Sequence, residues 1–256
     1  CRWMNCRRRG RWDKQTDLKV LENLKNKTVA ITGAGGYIGS AIVDLISQYS
    51  SKIVRVSRME LAPREGMRSL KADFCNPGCW FEIVERADVI FHLAGNTSAY
   101  AAAANPAESL KSTVLPINHL VRAAQELDRQ PRVVLASTAT VYGLTARLPV
   151  AETVAPKPIT VYDLHKLFAE QQLALATQKK ILEGVSLRLA NVYGPSASVS
   201  SAADRGILNR VTEMAMQGKN IIVYGDGNYL RDYVYIDDVA RAFVAAGLRE
   251  RVCGGL

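Results

Sequence analysis

Short apolar runs alternate with amphipathic stretches along most of the chain. Runs rich in β-branched and apolar residues predict buried strands in "KTVAITG", "KIVRVSR", "ADVIFHLAG", "PRVVLAST" and "EGVSLRLANVYG", the last at about residues 185–190. Helical spacing follows the first run in "YIGSAIVDLISQY" and recurs over about 79–86, 106–129 and 160–179. Strands and helices that alternate in this way pair in parallel with right-handed crossovers. The pattern therefore predicts an α/β protein with a doubly wound parallel sheet.

The same pattern predicts where several elements begin and end. Pro116 lies inside the predicted 106–129 helix and should kink it or split it after Val114, because proline lacks a backbone N–H. A polar helix is predicted over 13–26, and "PSASVSSAAD" predicts a loop. A helix near 204–217, a short strand in "NIIVYG", a turn at "DGN" and a helix from about residue 237 follow, with Asp237 as the N-cap of the last.

A glycine-rich turn joins the first predicted strand to the first helix. "TVAITGAGGYIGSAIV" places Gly33, Gly36 and Gly39 with two residues between successive glycines. The first glycine permits the tight turn, the second lets the backbone approach a pyrophosphate, and the third lets the helix pack on the strand. The phosphates would meet backbone N–H groups at the positive end of the helix. This context predicts a dinucleotide-binding (Rossmann) fold rather than a ligand-free turn.

The residues at the end of the second predicted strand indicate whether NAD or NADP is the preferred dinucleotide. A carboxylate at this place would accept from a free ribose 2′-hydroxyl and repel a 2′-phosphate, but "IVRVSR" ends in Ser57 and Arg58. We therefore expect NADP in preference to NAD; the alternative is NAD binding with Arg58 exposed on a loop. Asp73, after the presumed third strand, is either an acceptor for the adenine amino group or a plain turn residue.

Composition and charge narrow the class of protein. The 256 residues are 48% apolar and 22% charged, which suits a chain with a sizeable buried core, and no apolar run is long enough to span a membrane. The net charge is +9, and removing five arginines that precede the first acidic residue leaves +4. We therefore expect a basic head and no nucleic-acid partner, with phosphate contact by that head as the alternative. The five arginines are Arg2, Arg7, Arg8, Arg9 and Arg11.

The cysteines give no sign of a metal site. Five cysteines are scattered along the chain, and Cys75 and Cys79 are separated by three residues without accompanying histidines. Neither a zinc site nor a disulfide framework is expected, and no secretory signal is seen. A reducing, cytoplasmic location is the default expectation.

The candidate chemistry lies in "TVYDLHKLFAEQQ", which places Tyr162 four residues before Lys166. Chance alone gives roughly half an occurrence of this spacing in a chain of this composition. On a helix, however, positions i and i+4 share a face, so the ammonium group would lie near the phenol. A nearby cation, together with a positive nicotinamide, is expected to lower the pKa of the phenol from about 10 and make it a useful acid or base.

Several motifs in order resemble the extended short-chain dehydrogenase/reductase family, specifically its nucleotide-sugar epimerase/dehydratase branch. They span residues 28–240 and read "TGAGGYIG", "ADVIFHLAG", "STATVYG", "YDLHK", "SLRLANVYGP" and "RDYVYIDDVA". The resemblance implies that Tyr162 exchanges a proton with a sugar hydroxyl and that Lys166 also holds the nicotinamide ribose. It further implies that Thr138 hydrogen-bonds the reacting oxygen, with Ser137 as the neighbouring alternative and a purely structural strand-end threonine as the other.

The resemblance also implies a wider set of contacts. Further cofactor contacts are expected at Tyr37, Ile38, Phe74, Leu93, Ala94 and Gly95. Substrate contacts are expected at Asn96, Asn191 and Arg231, with Tyr193 also near the pocket. A guanidinium forks well onto phosphate oxygens, although Arg231 paired with Asp232 at the surface is the alternative.

Departures from the family pattern limit the reaction. Ala139 and Thr140 follow Thr138 where the family's 4,6-dehydratases carry an acidic pair, so dehydration is not expected. His165, Thr113 and Pro116 also differ from residues common among relatives, and relatives continue for several tens of residues beyond "DDVARAF", so the chain is expected to be truncated at its C-terminus.

The expected function is therefore NAD(P)-dependent epimerisation of a nucleotide sugar at a carbinol carbon, C4 by resemblance. The first alternative is an NADPH-dependent 4-keto-sugar reductase, and the second is a dinucleotide-binding module with impaired catalysis. The expected organisation is a basic extension and helix over 1–26, a dinucleotide-binding domain over 27–190 and a partial substrate-binding domain over 191–256. By resemblance, the helices around 106–129 and 160–179 would pair with their copies in a homodimer.

Overall fold

A computed structural model describes residues 23–24, 26–49, 52–145, 147–195, 206–223, 225–227 and 230–248. Eight strands are seen in these residues: β1 Val29–Thr32, β2 Ile53–Ser57, β3 Met67–Lys71, β4 Val89–His92, β5 Arg132–Thr138, β6 Glu183–Leu189, β7 Asn191–Tyr193 and β8 Tyr233–Tyr235. The helices are α1 Tyr37–Ile46, α2 Pro77–Arg86, α3 Ala99–Ala104, α4 Pro106–Thr113, α5 Leu115–Glu126, α6 Val161–Gln178, α7 Gly206–Met216 and α8 Ile236–Leu248. A 3₁₀ turn covers Ala139–Tyr142.

Six of the strands form one parallel sheet in the order β3-β2-β1-β4-β5-β6. The order reverses between β1 and β4, which pair in register from Val29 with Val89 to Thr32 with His92. At such a reversal the connections after two neighbouring strands run to opposite sides and leave a crevice at the carboxyl edge. The predicted doubly wound sheet is confirmed, and its topology places the glycine-rich turn beside the segment that follows β4.

Side-chain alternation along the strands builds two cores, one on each face of the sheet. Val29 and Ile31 of β1 pack with α1 and α8, whereas Ala30 between them faces α2 and α5. The Phe91 side chain lies on the same face of the sheet as Val29 and Ile31. Its ring centroid is 5.9 Å from that of Phe243 in α8. Because both faces are covered, the strands read as continuous apolar runs rather than as alternating ones.

Helix boundaries follow local chemistry. The 106–129 segment splits as predicted: α4 ends at Thr113 and α5 begins at Leu115, with Pro116 in its first turn. A capping box starts α6, because Thr160 accepts from the Asp163 backbone N–H and the Asp163 carboxylate accepts from the Thr160 backbone N–H. This cap fixes where the helix that carries Tyr162 begins.

Two sequence predictions near the C-terminal end are wrong. Residues 220–223 form no strand, and the apolar side chains of Ile221, Ile222 and Val223 remain exposed, since no described strand pairs with them. The second sheet instead pairs β7 with β8 in parallel. Asp237 is not an N-cap, because β8 passes directly into α8 and Asp237 lies in its first turn, where its charge favours the helix dipole.

Some predictions fall partly outside the described residues. The 13–26 helix lies mostly there, and so do residues 196–205, which include most of the predicted loop. The helix near 204–217 is confirmed in its described part as α7. No helix in the described ranges is long and apolar enough to cross a membrane.

Replacing Gly39 by alanine tests the contact between α1 and the glycine-rich turn. A Cβ at this position would lie 2.2 Å from the Gly33 carbonyl oxygen, a backbone atom that cannot move alone. We expect Gly39→Ala to lower the free energy of unfolding by about 1–3 kcal/mol in urea denaturation. The matched control is Gly78→Ala in the first turn of α2, where the nearest atom is the Asn76 side-chain oxygen at 3.2 Å. Equal losses in the two variants would contradict this account.

Candidate active site

The glycine-rich turn makes an open cradle at the carboxyl edge of the sheet. Gly33 has φ +72°, and a Cβ there would lie 3.0 Å from the Ala94 backbone nitrogen, so the turn after β1 touches the segment after β4. Gly36 is the N-cap of α1, and no side chain caps the first turn of this helix. Backbone packed this closely, at a helix N-terminus without a side-chain cap, fits the pyrophosphate of a dinucleotide.

A buried hydroxyl group and a buried ammonium group lie beside this cradle. Gly95 has φ +153°, and a Cβ there would be 3.7 Å from Lys166 Nζ and 3.9 Å from Thr113 Oγ1. Thr113 Oγ1 is buried and has no hydrogen-bond partner in the described part of the chain. Lys166 Nζ donates to the Ala136 carbonyl oxygen at 2.9 Å. This buried polar floor, with space kept open by glycine, fits the ribose end of a dinucleotide.

The predicted pair on α6 lies together with the threonine that ends β5. Lys166 Nζ is 5.9 Å from the centroid of the Tyr162 ring. The Thr138 side chain is near enough to the Tyr162 phenol to favour its charged form and lower its pKa slightly. The structure therefore brings Thr138, Tyr162 and Lys166 into one cluster next to Gly95.

The pKa of the phenol differs from the expectation. Burial, followed by the charge of Asp163, raises the pKa of Tyr162 to about 12, against a smaller lowering from the Thr138 hydrogen bond. Burial thus has the largest effect on the pKa of this phenol, and the lowering expected from Lys166 together with a positive nicotinamide stays a prediction. Burial also lowers the pKa of Lys166 to about 8.

Ser137 and Thr138 have different surroundings. The Ser137 hydroxyl donates to Glu170, which also accepts two bonds from Arg188 Nε at 3.1 Å. The Arg188 guanidinium lies over the ring of Tyr142 at 4.7 Å. Successive residues of a strand point to opposite faces. Ser137 is therefore engaged in a buried ion-pair network, whereas Thr138 faces Tyr162.

The residues expected near the adenosine differ in exposure and in hydrogen bonding. Ser57 Oγ accepts from the Met59 backbone N–H at 3.2 Å, and Arg58 is exposed. Asp73 accepts from the Cys75 backbone N–H at 3.0 Å, which is the turn role. The Phe74 side chain is buried against Trp80, with ring centroids 5.9 Å apart. Any contact of Asp73 or Phe74 with adenine stays a prediction.

Leu93, Ala94 and Tyr37 tie the cradle to its neighbours. The backbone N–H groups of Leu93 and Ala94 donate to Thr32 Oγ1 at 3.2 and 3.3 Å. Tyr37 donates its hydroxyl to the Gly194 carbonyl oxygen at 2.7 Å, linking α1 to the segment after β7, and Ile38 packs against the core. Their roles in cofactor binding stay predictions.

The residues expected to contact substrate are not all brought to the cluster. Asn96 lies one residue after Gly95 and accepts from the Ser98 backbone N–H at 2.9 Å. Asn191 donates its side-chain amide to the Asp232 carbonyl oxygen at 2.9 Å, and Arg231 Nη1 donates to the Leu230 carbonyl oxygen at 3.2 Å. Tyr193 packs its ring on Tyr235 at 5.5 Å. The contacts of Asn191 and Tyr193 tie β7 to β8, and all four substrate assignments stay predictions.

Sequence reasoning missed the carboxylate beneath the cluster. Asp163 is 2% exposed and accepts from Thr140 Oγ1 as well as from Thr160. The capping-box spacing from Thr160 to Asp163 was a readable signal, but the contact across to Thr140 depends on how α6 packs against the end of β5. Among the described residues, no group of three or more His, Cys, Asp or Glu side chains is placed to hold a metal ion.

Comparison with known proteins agrees with this arrangement. A model of the NAD dependent epimerase/dehydratase family matches residues 29–252, and the chain belongs to this family. The chain is 29% identical over 227 residues to the UDP-glucose 4-epimerase of Mycolicibacterium smegmatis, covering 85% of this chain and 72% of that protein. As the motifs implied, it is an enzyme of the extended short-chain dehydrogenase/reductase type.

Two solved structures are similar to this chain in three-dimensional fold as well as in sequence. The UDP-glucose 4-epimerase of Thermotoga maritima with UDP-glucose has a TM-score of 0.76 and 28% identity, covering 86% of this chain and 72% of that one. The UDP-glucose 4-epimerase of Thermus thermophilus in complex with NAD has a TM-score of 0.74 and 26% identity, covering 87% of this chain and 75% of that one.

Proposed function

We propose that the protein is an NAD(P)-dependent nucleotide-sugar epimerase acting at C4 of the sugar. The observation that carries the proposal is the cluster of Thr138, Tyr162 and Lys166 beside the glycine cradle. The relatives named above support the substrate class, since they are UDP-glucose 4-epimerases. The residues that follow Thr138 support epimerisation over dehydration, because Ala139 and Thr140 carry no carboxylate.

Each of the three side chains has a separate task in this proposal. Tyr162 takes the proton from the sugar hydroxyl as the alcohol becomes a carbonyl, and returns it when the alcohol re-forms. Thr138 hydrogen-bonds the same oxygen and steadies the charge that develops there. Lys166 has donors beyond its bond to Ala136 and would hold the nicotinamide ribose. When bound, the dinucleotide supplies the hydride acceptor that makes the oxidation reversible.

The alternative is a reductase that consumes NADPH to reduce a 4-keto sugar. The observation that favours it is the end of β2, where Ser57 and the exposed Arg58 stand in place of a carboxylate. The two functions use the same cluster and differ in whether the dinucleotide is regenerated in each cycle.

Turnover without added dinucleotide tests the epimerase. Purified protein is incubated with UDP-glucose or UDP-galactose, and the interconverted sugars are quantified by chromatography. We expect many turnovers per chain on dinucleotide that stays bound through purification, because the hydride that it accepts returns to the sugar within the same cycle. We also expect a loss of at least about 100-fold in Tyr162→Phe, since a general acid–base contributes about 10²–10⁴-fold. A strict need for stoichiometric NADPH with a keto sugar would establish the reductase instead, and full activity of Tyr162→Phe would refute the role of the phenol.

We propose further that NADP binds in preference to NAD. Arg58 is exposed and follows Ser57 directly, so its guanidinium is available to a ribose 2′-phosphate. We expect Arg58→Ala to weaken NADP binding by about tenfold or more in calorimetry while leaving NAD binding unchanged, since a hydrogen bond to a charged group is worth about 1.5–3 kcal/mol. Arg122→Ala, an exposed arginine on α5, is the control. Equal weakening for both dinucleotides would contradict the preference.

We propose that two copies pair through α4, α5 and α6, the helices of residues 106–129 and 160–179, as a homodimer. Apolar side chains remain exposed on these helices: Leu110 (45%), Leu164 (37%), Phe168 (39%) and Leu175 (52%). A glutamate placed among them should prevent pairing because its charge would be buried. We expect sedimentation equilibrium to give twice the chain mass, and the single-chain mass for Phe168→Glu. Met216→Glu, at an exposed methionine of α7, is the control, and a single-chain mass for the unmodified protein would contradict the dimer.

A further inference from the structure

Two side chains of α6 hold this helix against successive residues of β5. Lys166 Nζ donates to the Ala136 carbonyl oxygen at 2.9 Å, and the Glu170 carboxylate accepts from the Ser137 hydroxyl. Positions four apart share a helix face, so the ammonium group and the carboxylate lie on the face of α6 that packs against the strand. Both residues are buried, with 6% of Lys166 and 2% of Glu170 exposed.

Arg188 of β6 completes the contacts of the Glu170 carboxylate. Arg188 Nε lies 3.1 Å from both carboxylate oxygens, and Nη2 donates to Oε2 at 2.6 Å. Ser137 and Arg188 are partners across the β5–β6 pair, so they reach Glu170 from adjacent strands. A carboxyl group that accepts every one of its bonds, from a guanidinium and a hydroxyl, is ionised. Glu170 is therefore an anion buried one helical turn beyond Lys166.

Lys166 depends on this anion because its own contacts bring no compensating charge. In the part of the chain that the structure describes, no carboxylate lies close enough to the ammonium group for a direct ion pair. The Ala136 carbonyl oxygen satisfies one of three donors but carries no full charge. A buried ammonium group without a counter-charge gives up its proton readily. A carboxylate one turn away acts more strongly here than it would in water, because burial lowers the dielectric constant.

We propose that Glu170, fixed by Arg188, is a positioning residue that keeps Lys166 as an ammonium ion beside Gly95. The proposal rests on the proposed function for the role of Lys166 at the dinucleotide ribose, whereas the arrangement of the three charges is a property of the fold. Glu170 acts through Lys166, since it is 2% exposed and its bonds go to Ser137 and Arg188.

The other titratable groups of α6 near Lys166 do not take this role. Asp163 lies one turn before Lys166, and its carboxylate oxygens are bonded to Thr140 and Thr160. Burial lowers the pKa of His165 and raises the pKa of Tyr162 to about 12, so neither side chain is predominantly charged at pH 7. Of the two buried carboxylates on this helix, Glu170 is the one that raises the pKa of Lys166.

Among the described residues, the elements packed around Lys166 supply no other anion to it. Burial, followed by the charge of Lys166, lowers the pKa of His92 in β4 to about 3, which leaves that imidazole neutral. The ring of Tyr142 in the 3₁₀ turn lies under Arg188. The remaining titratable groups are exposed or partly exposed: Tyr100 of α3, Glu108 and Lys111 of α4, and His119 of α5. The charges through this core are therefore those of Arg188, Glu170 and Lys166, alternating in sign.

The sign of these charges gives the direction of the effect. Burial lowers the pKa of Lys166 to about 8, against a smaller rise from Glu170. Without the carboxylate charge that rise is lost, so Lys166 should release its proton at a lower pH. Above that pH the amine is uncharged and binds ribose hydroxyl groups less strongly, because charged donors make the stronger hydrogen bonds.

The test compares Glu170→Gln with Glu170→Asp by NMR. Lysine labelled with ¹³C at Cε reports loss of the proton, and Lys166→Met assigns the signal. We expect the Lys166 midpoint to fall by about one pH unit or more in Glu170→Gln, a tenfold change in the protonation equilibrium. Glu170→Asp should keep the midpoint near its original value, because it keeps the charge although its shorter side chain loses contacts. A purely structural role predicts the reverse, since glutamine has the shape of glutamate.

A second variant covers the case in which Glu170→Gln does not fold because Arg188 is left unpaired. Combining Glu170→Gln with Arg188→Met removes both partners, which is less destabilising than removing one partner of a buried ion pair. The Lys166 midpoint should fall here too, by less than in the single variant because a cation is removed as well. The pH above which dinucleotide affinity declines in calorimetry should move down with the midpoint.

Glu183→Gln is the matched control. This glutamate is exposed at the amino end of β6, where it pairs with Arg132, and its replacement should leave the Lys166 midpoint unchanged. An unchanged midpoint in folded Glu170→Gln or in the double variant, or an equal fall in Glu170→Asp, would overturn the proposal. Because the NMR midpoint needs neither dinucleotide nor sugar, the predicted fall in a protein without epimerase activity would support the positioning role and reject the proposed function alone.

Discussion

The buried ammonium group of Lys166 is the constraint on which the site depends. It bonds the Ala136 carbonyl oxygen of β5, lies over the Tyr162 ring, and sits 3.7 Å from where a side chain on Gly95 would begin. One cation thus joins α6, strand β5 and the segment that follows β4. Its burial is unfavourable, as the lowered pKa of about 8 shows, and Glu170 one turn further along α6 offsets part of that cost.

The rest of the architecture brings three backbone segments to this cation. The sheet order reverses between β1 and β4, so the glycine-rich turn and the Leu93–Gly95 segment meet at the carboxyl edge. The capping box at Thr160 fixes the start of α6, and a helix in that register presents Tyr162 and Lys166 on one face. Contacts from Thr138 to Thr140 and from Thr140 to Asp163 join the end of β5 to the first turn of α6, beside Tyr162.

The sequence predicted those features of the fold and site that depend on residues close together in the chain. The Gly33, Gly36 and Gly39 spacing predicted the cradle, and Pro116 predicted the break between α4 and α5, since each effect acts within a few residues. The raised pKa of Tyr162 was not predicted, because its largest cause is burial, which depends on how α6 packs against the end of β5. Strands β7 and β8 have three residues each, which is too short for an alternation of apolar and polar side chains to be recognised. The apolar run "NIIVYG" resembles a strand more closely in sequence, which is why the strand was predicted there instead. Successive side chains of a strand point to opposite faces of the sheet, so the sequence of β5 does predict that Ser137 and Thr138 face different surroundings.

The most direct test of the central claim is a crystal structure of the protein with a dinucleotide and a nucleotide sugar. We expect the Tyr162 phenol oxygen to lie about 2.6–3.2 Å from the reacting sugar hydroxyl, with Lys166 Nζ at hydrogen-bonding distance from the dinucleotide ribose. A sugar bound away from the phenol, or a dinucleotide seated elsewhere than on the turn after β1, would contradict it.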